Sequence, residues 1–229
     1  MVIKQGSLFG DLGGKEPEGQ KTAEPKMESF LPGLKGDEGY PDINNWEELE
    51  NRARSCTRCL LRQGCKQVVF GDGDRNADLM LVGEGPGQSE DEMGKPFVGR
   101  AGQLLDKILA AVDFRRSAVY ITNVVKCRPP DNRLPNPNEV AACRGYLEAQ
   151  IRLLSPKIII CLGALATQTL IHPGAKITGV RGKWFLRGDT LIMPTYHPAA
   201  LLRNESLKRP VWEDFKAIRE EVIKRGLKV

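Results

Sequence analysis

The run Leu79-Met80-Leu81-Val82 passes directly into Gly83-Glu84-Gly85-Pro86-Gly87, and this junction constrains the chain more than any other stretch. A short continuous apolar run has the composition of a strand buried on both faces, as in a parallel sheet. The glycines that follow permit tight curvature and leave backbone N–H groups unobstructed. A strand, a Gly-rich turn, an acid and then a helix is the arrangement by which open α/β sheets place ligands at their carboxyl rim. Such a turn can also be a mere connection. The carboxylate of Glu84 within it, and an aromatic at Phe97 beyond it, favour a pocket.

The rest of the pattern supports an α/β reading. Trp46, Leu49, Ala53 and Cys56 follow helical spacing, and a first helix is expected from Trp46 to Leu61. Val68-Val69-Phe70 reads as an extended entry and residues 71–74 as a turn. Gly102 to Val112 carries the apolar face of a helix, and Val119 to Thr122 a strand leading to Asn123. Asn136-Pro137-Asn138-Glu139 reads as an N-cap, a proline at the first helical position and a Glu that closes a capping box. The helix behind it runs to Leu154. Ile158 to Leu162 is a further buried strand, so Cys161 is most simply a core residue. Residues 163–171 form a short helix. Gly188-Asp189 joins 184–187 to 190–193 as a hairpin, and Val211, Trp212, Phe215, Ile218 and Val222 stripe the last helix. These alternations specify a three-layer α/β/α fold with a central, mostly parallel sheet of about four strands.

Residues 1–45 hold 8 glycines and 4 prolines without period and read as a flexible acidic extension ahead of a domain at 46–229. The extension carries 5 basic and 8 acidic side chains and the body 29 and 21, so a net +5 divides into −3 and +8. A body this basic suits a polyanion such as DNA or RNA. No apolar run approaches the roughly 18 residues of a membrane span, and the N-terminus has no signal-peptide core; a cytoplasmic monomer is expected.

Of the six cysteines, Cys56 and Cys59 have the two-residue gap that lets one turn present two thiolates to a metal. Cys143 would face inward from its helix, with Cys127 fifteen intervening residues earlier. A redox pair is the alternative for Cys56 and Cys59, although such a pair is expected to open a helix after a strand.

Glu84, Asn123 and His197 each lie at or just past the end of an expected strand, so in a parallel sheet they share one rim. Glu can polarise a water, Asn can pair with an amide-like edge, His can stabilise a developing anion, and Phe97 offers a face for a planar ring. Together these suit cleavage at a nucleobase rather than at a phosphate. The only other histidine is His172, which excludes a histidine-rich metallohydrolase site.

GEGPG at 83–87, SEDEMGKPFVGRAGQLLDKIL at 89–109, TNVVKCRPP at 122–130 and HPAALLRN at 197–204 resemble the family 4 uracil-DNA glycosylases, from about Trp46 to the C-terminus. The resemblance implies a monofunctional enzyme that flips uracil out of DNA, hydrolyses its glycosidic bond and begins base excision repair without lyase activity. It implies catalytic roles for Glu84, which would position water, and His197, which would stabilise the uracil anion. Gly85 would lie beside the base, Phe97 would stack on it, Asn123 would read its amide edge, and Glu90 would exclude a thymine methyl. Leu201, Leu202 and Arg203 would form the loop that fills the vacated stack. It also implies a [4Fe–4S] cluster on Cys56, Cys59, Cys127 and Cys143, with zinc as the chemical alternative. The loop Pro129 to Pro135 lacks the histidine by which a related branch captures uracil-DNA, so turnover is expected. Gln5, Leu8 and Phe9 resemble a bacterial sliding-clamp-binding peptide. Two other classes remain open: a noncatalytic nucleic-acid module, and a cluster-bearing redox protein, which the lack of a dinucleotide glycine fingerprint disfavours.

Overall fold

A computed structural model describes residues 2–3, 30–32 and 39–229. Its sheet has the order β1-β6-β7-β5-β3-β4-β2, where β1 is Val2–Ile3, β2 Asp72–Gly73, β3 Leu79–Gly83, β4 Tyr120–Asn123, β5 Ile158–Leu162, β6 Trp184–Arg187 and β7 Thr190–Thr195. The central strands β7, β5, β3 and β4 are mutually parallel, as the apolar runs require. β6 and β2 add antiparallel pairings at the flanks, and β1 pairs in parallel with β6. The fold is the expected α/β/α sandwich.

Period-two alternation divides the core between two layers. Met80, Val82, Ile159 and Cys161 face one layer, which is closed by α1 (Trp46–Arg54), α5 (Pro137–Leu154) and α6 (Ala164–Leu170). Leu79, Leu81, Ile158, Ile160 and Leu162 face the other. That layer is closed by α4 (Arg100–Ala111), α8 (Pro198–Arg203) and α9 (Lys208–Arg225). The remaining helices are short: α2 (Leu61–Gly64), α3 (Gln88–Met93) and α7 (Ile177–Val180). The chain goes from β3 to β4 on one side and then returns to place β5 on the other, so β3 lies at a topological switch point.

Capping follows the local chemistry at α5, where Asn136 Oδ1 accepts the Glu139 N–H and the Glu139 carboxylate accepts the Asn136 N–H. The first helix is shorter than its spacing suggests. It ends at Arg54 and is closed by the Ser55 N–H, so Cys56 and Cys59 lie in the irregular turns that follow. Residues 68–70 join no strand; the edge strand is instead Asp72–Gly73, within the expected turn. Trp212 is 40% exposed and leaves the stripe of α9 to Val211, Phe215, Ile218 and Val222.

Residues N-terminal to 46 contribute to the core. Leu31 and Ile43 are both buried. The Glu148 carboxylate on α5 accepts the N–H groups of Phe30 at 2.5 Å and Leu31 at 2.7 Å. Arg187 and Arg144 donate to the carbonyls of Phe30 and Pro32. The clasp holds main chain at four points, and the Arg187 guanidinium also lies over the Phe30 ring, 5.7 Å from its centre. No helix among the described residues is long and apolar enough to cross a membrane.

Candidate active site

Glu84 and His197 lie just past the carboxyl ends of β3 and β7, Asn123 is the last residue of β4, and all three line one cavity of about 510 Å³. Gly85, Glu90, Phe97 and Arg203 line it too, with the 129–135 loop along one side. The size suits a single base-sized group with room for solvent. The sheet continues past its last formal pairs at this rim. The Val124 N–H donates to the Gly83 carbonyl at 2.9 Å and the Val125 N–H to the Glu84 carbonyl at 3.1 Å. Glu84 is therefore held in register beside Asn123.

Close approach explains one glycine. A Cβ on Gly83 would lie 2.4 Å from Asn123 Oδ1 and 2.6 Å from Phe97 Cζ. Only a hydrogen there lets the two side chains converge. Phe97 itself sits at φ +52° and is 5% exposed, a left-handed backbone that bulky residues rarely adopt. Its ring lies 5.4 Å from the His197 imidazole at an interplanar angle of 29°.

Asn123 is 1% exposed, and its Oδ1 has no hydrogen-bond partner among the described residues. A buried acceptor left unpaired costs stability, so it marks a place where a ligand donor is wanted. His197 begins α8, and its Nδ1 accepts the Ala199 N–H at 3.1 Å. The proton of a neutral ring must then sit on Nε2. Burial, reinforced by the Arg203 charge and opposed by Glu90, pushes the His197 pKa down to about 4. The ring is therefore a neutral donor at physiological pH. Burial also raises the Glu84 carboxyl above its ordinary value, with Arg203 opposing.

Glu90 contributes more to architecture than its sequence position suggests. Its Oε1 accepts the N–H groups of Val98 at 2.9 Å and Gly99 at 2.8 Å, and its Oε2 accepts that of Gly87 at 3.1 Å. The carboxylate pins the Gly-rich turn to the segment that follows Phe97. The 199–203 segment is helical, and it separates its two leucines: Leu201 is 2% exposed within the core, whereas Leu202 is 42% exposed.

Buried polar residues behind the rim went unnoticed in the sequence. Thr195, at the end of β7, donates to the Asp214 carboxylate at 2.6 Å, and Asp214 also pairs with Arg181. This anchors the strand two residues before His197. Lys126 and Gln150 lie beneath β4. Burial lowers the Lys126 ammonium to about 7, with Cys143 opposing. Isolated polar residues on apolar-striped elements carry no signal in the sequence that separates them from surface positions.

The metal expectation requires correction. Among the described residues, no group of three or more His, Cys, Asp or Glu side chains is disposed to hold a metal ion. The [4Fe–4S] cluster expected on Cys56, Cys59, Cys127 and Cys143 is therefore not supported, nor is zinc on those thiols. Their contacts give the physical reason. Cys143 Sγ accepts the Lys126 N–H at 3.3 Å. Burial, and then its neighbour Cys65, a thiol outside the expected set, push the Cys127 thiol up. Cys56 lies against the Tyr146 hydroxyl. Each of these three thiols thus has a neighbour outside the expected set of four. Spacing in sequence can bring thiols near one another without making a metal site.

Fold and cavity together define an α/β protein with a rim pocket able to receive a planar, amide-bearing ring. Residues 70–216 match the family described as the uracil DNA glycosylase superfamily. The type-4 uracil-DNA glycosylase of Thermotoga maritima is 46% identical over 187 residues, covering 79% of this chain and 96% of that protein. That of Sulfurisphaera tokodaii is 42% identical over 190 residues, covering 79% and 86%. A type-5 uracil-DNA glycosylase of Pyrobaculum aerophilum is 31% identical over 193 residues, covering 68% and 83%. The chain belongs to the uracil DNA glycosylase superfamily, in its type-4 branch.

Proposed function

We propose that this uracil-DNA glycosylase hydrolyses the N-glycosidic bond of uracil flipped out of DNA and leaves an abasic site, the first step of base excision repair. The observation that carries the reading is the unpartnered, buried Asn123 Oδ1 in the rim cavity. Uracil offers an N3–H donor to that oxygen and an O4 acceptor to the Asn123 amide. Cytosine reverses both and would leave the buried groups mispaired.

The remaining roles follow from position. Phe97 supplies the stacking face, and Gly85 lets the base pass close to the backbone. Glu84 holds the attacking water against the sugar as positive charge develops there. The Nε2–H of His197 donates to the uracil oxygen that becomes anionic, a preorganised donor that gains strength as the bond breaks. Glu90, fixed by three backbone N–H groups, is a rigid wall beside the ring and would crowd a thymine methyl. Leu202 is the exposed wedge that fills the vacated stack, with Arg203 beside it, while Leu201 anchors the helix. The reading is hydrolysis without strand cleavage, needing no lysine nucleophile, and turnover rather than a trapped adduct, since the 129–135 loop beside the cavity carries no histidine.

Asn123→Asp tests the reading. Replacing the amide donor with an acceptor should lower the uracil rate and narrow the ratio of uracil to cytosine excision in one sequence context. An unchanged ratio would remove Asn123 from base recognition.

The proposal extends to a monomeric cytoplasmic enzyme that meets replication through its tail. Gln5, Leu8 and Phe9 lie outside the described residues, and the motif alone supports clamp binding. Leu8→Ala combined with Phe9→Ala should weaken binding to a bacterial sliding clamp in solution at least tenfold; unchanged affinity would dismiss the motif.

A further inference from the structure

Lys126 is buried where no carboxylate meets it. The residue is 2% exposed, and no ion pair among the described residues includes it. Its ammonium instead meets three neutral oxygens: Thr122 Oγ1 at 2.7 Å, the Asn123 main-chain oxygen at 2.7 Å and Gln150 Oε1 at 2.6 Å. An ammonium has three donors and no acceptor, so the match is complete.

The partners are themselves fixed. Gln150 Nε2 donates to the Phe70 carbonyl at 2.9 Å and to the Tyr120 hydroxyl oxygen at 3.1 Å. The Thr122 hydroxyl donates to the same Phe70 carbonyl at 2.8 Å. The network thus joins α5, the 68–70 segment and the last two residues of β4. A buried lysine with no carboxylate partner is a costly way to fill a core site that methionine could occupy. One of its three bonds goes to the main chain of the residue whose side-chain oxygen stands unpartnered in the active-site cavity.

We propose that Lys126 is the positioning residue for Asn123: it clamps the Asn123 main chain so that the carboxamide presents a fixed edge to the base, and so sets discrimination between uracil and cytosine. The inference rests on the reading of Asn123 as the base-reading group. The clamp and the Val124 N–H bond to the Gly83 carbonyl hold the two sides of one peptide unit, that between Asn123 and Val124, while the β3–β4 ladder holds Asn123 itself. Together they leave the carboxamide only side-chain torsions to adjust. A base-reading amide loses selectivity once it can shift or turn to suit cytosine.

The test is a double-mutant cycle with Lys126→Met and Asn123→Ala, read by single-turnover excision from uracil and cytosine oligonucleotides. Circular dichroism and thermal melting report folding. Lys126→Met should lower the uracil-to-cytosine ratio about tenfold or more, and most of that loss should vanish in the Asn123→Ala background. A purely structural role would lower the melting temperature and the active fraction while leaving the ratio intact. Thr122→Val removes one oxygen of the clamp and should shift the ratio in the same direction by a smaller factor; it decides the matter if Lys126→Met does not fold. An unchanged ratio in a folded variant, or losses that simply multiply, would overturn the inference. If Asn123→Ala itself changes nothing, the base-reading role fails. If it matters but the Lys126 effect is independent, only the positioning role fails.

Discussion

His197 should be neutral throughout the working range of the enzyme, and acid should expose the cost of making it so. The ring's value of about 4 lies below the ordinary 6.5, with burial the larger cause and the Arg203 charge the second. Between those values the unfolded chain binds a proton that the folded chain refuses. The neutral ring's contribution to stability is therefore fully present above pH 6.5 and is lost as pH falls towards 4. At about 1.4 kcal/mol per pH unit, the loss on going from neutrality to pH 4 amounts to about 3 kcal/mol. His197→Gln keeps an uncharged side chain of similar reach and abolishes this titration. Denaturant unfolding of both proteins from pH 8 to pH 4 gives the comparison. The stability difference should drift by about 3 kcal/mol, entirely below pH 6.5. Nuclear magnetic resonance of the imidazole carbons gives the direct check, with only two histidines to assign. A His197 titration near 6.5, or a difference that does not change with pH, would refute the argument. It would also turn the donor into a cation at mildly acidic pH.

Two further outcomes follow from packing. Gly83→Ala drives a methyl against Asn123 Oδ1 and Phe97 Cζ; kcat/KM on uracil should fall about 100-fold, roughly 3 kcal/mol, with the fold retained, and steady-state kinetics beside a melting curve checks it. Glu148→Ala leaves the buried N–H groups of Phe30 and Leu31 without acceptors and should cost about 2–5 kcal/mol of stability in urea unfolding, with little change in the kcat of the folded fraction.

The rim was legible because strands buried on both faces read as unbroken apolar runs. Leu79 to Val82 and Ile158 to Leu162 end where the structure ends them, within a residue, and Glu84, just past the first run, shares one cavity with Asn123 and His197. The cap of α5 was equally readable, since Asn136, Pro137 and Glu139 interact with their immediate neighbours. What was hidden depends on partners remote in sequence. Glu148 binds main chain 117 and 118 positions away, and Gln150 reaches Phe70 across 80. On a helix such residues resemble solvent-facing positions. The edge strand at Asp72–Gly73 is set by pairing with β4 and not by β propensity. Adjacent leucines at 201 and 202 differ only by the roughly 100° turn between helical neighbours, which sends one to the core and the other to solvent. The cysteines show the limit most plainly, because a two-residue gap and an inward helix face do not by themselves make a metal site among the described residues.

Uracil excision itself is the most direct test of the central claim. The 229-residue protein is incubated with end-labelled oligonucleotides, each carrying a single uracil, cytosine or thymine, in single- and double-stranded form. The products are resolved before and after hot alkali. The account predicts strand breaks at uracil alone, and only after alkali, the signature of an abasic site left by hydrolysis. Folded protein that yields no alkali-sensitive site at uracil would contradict it.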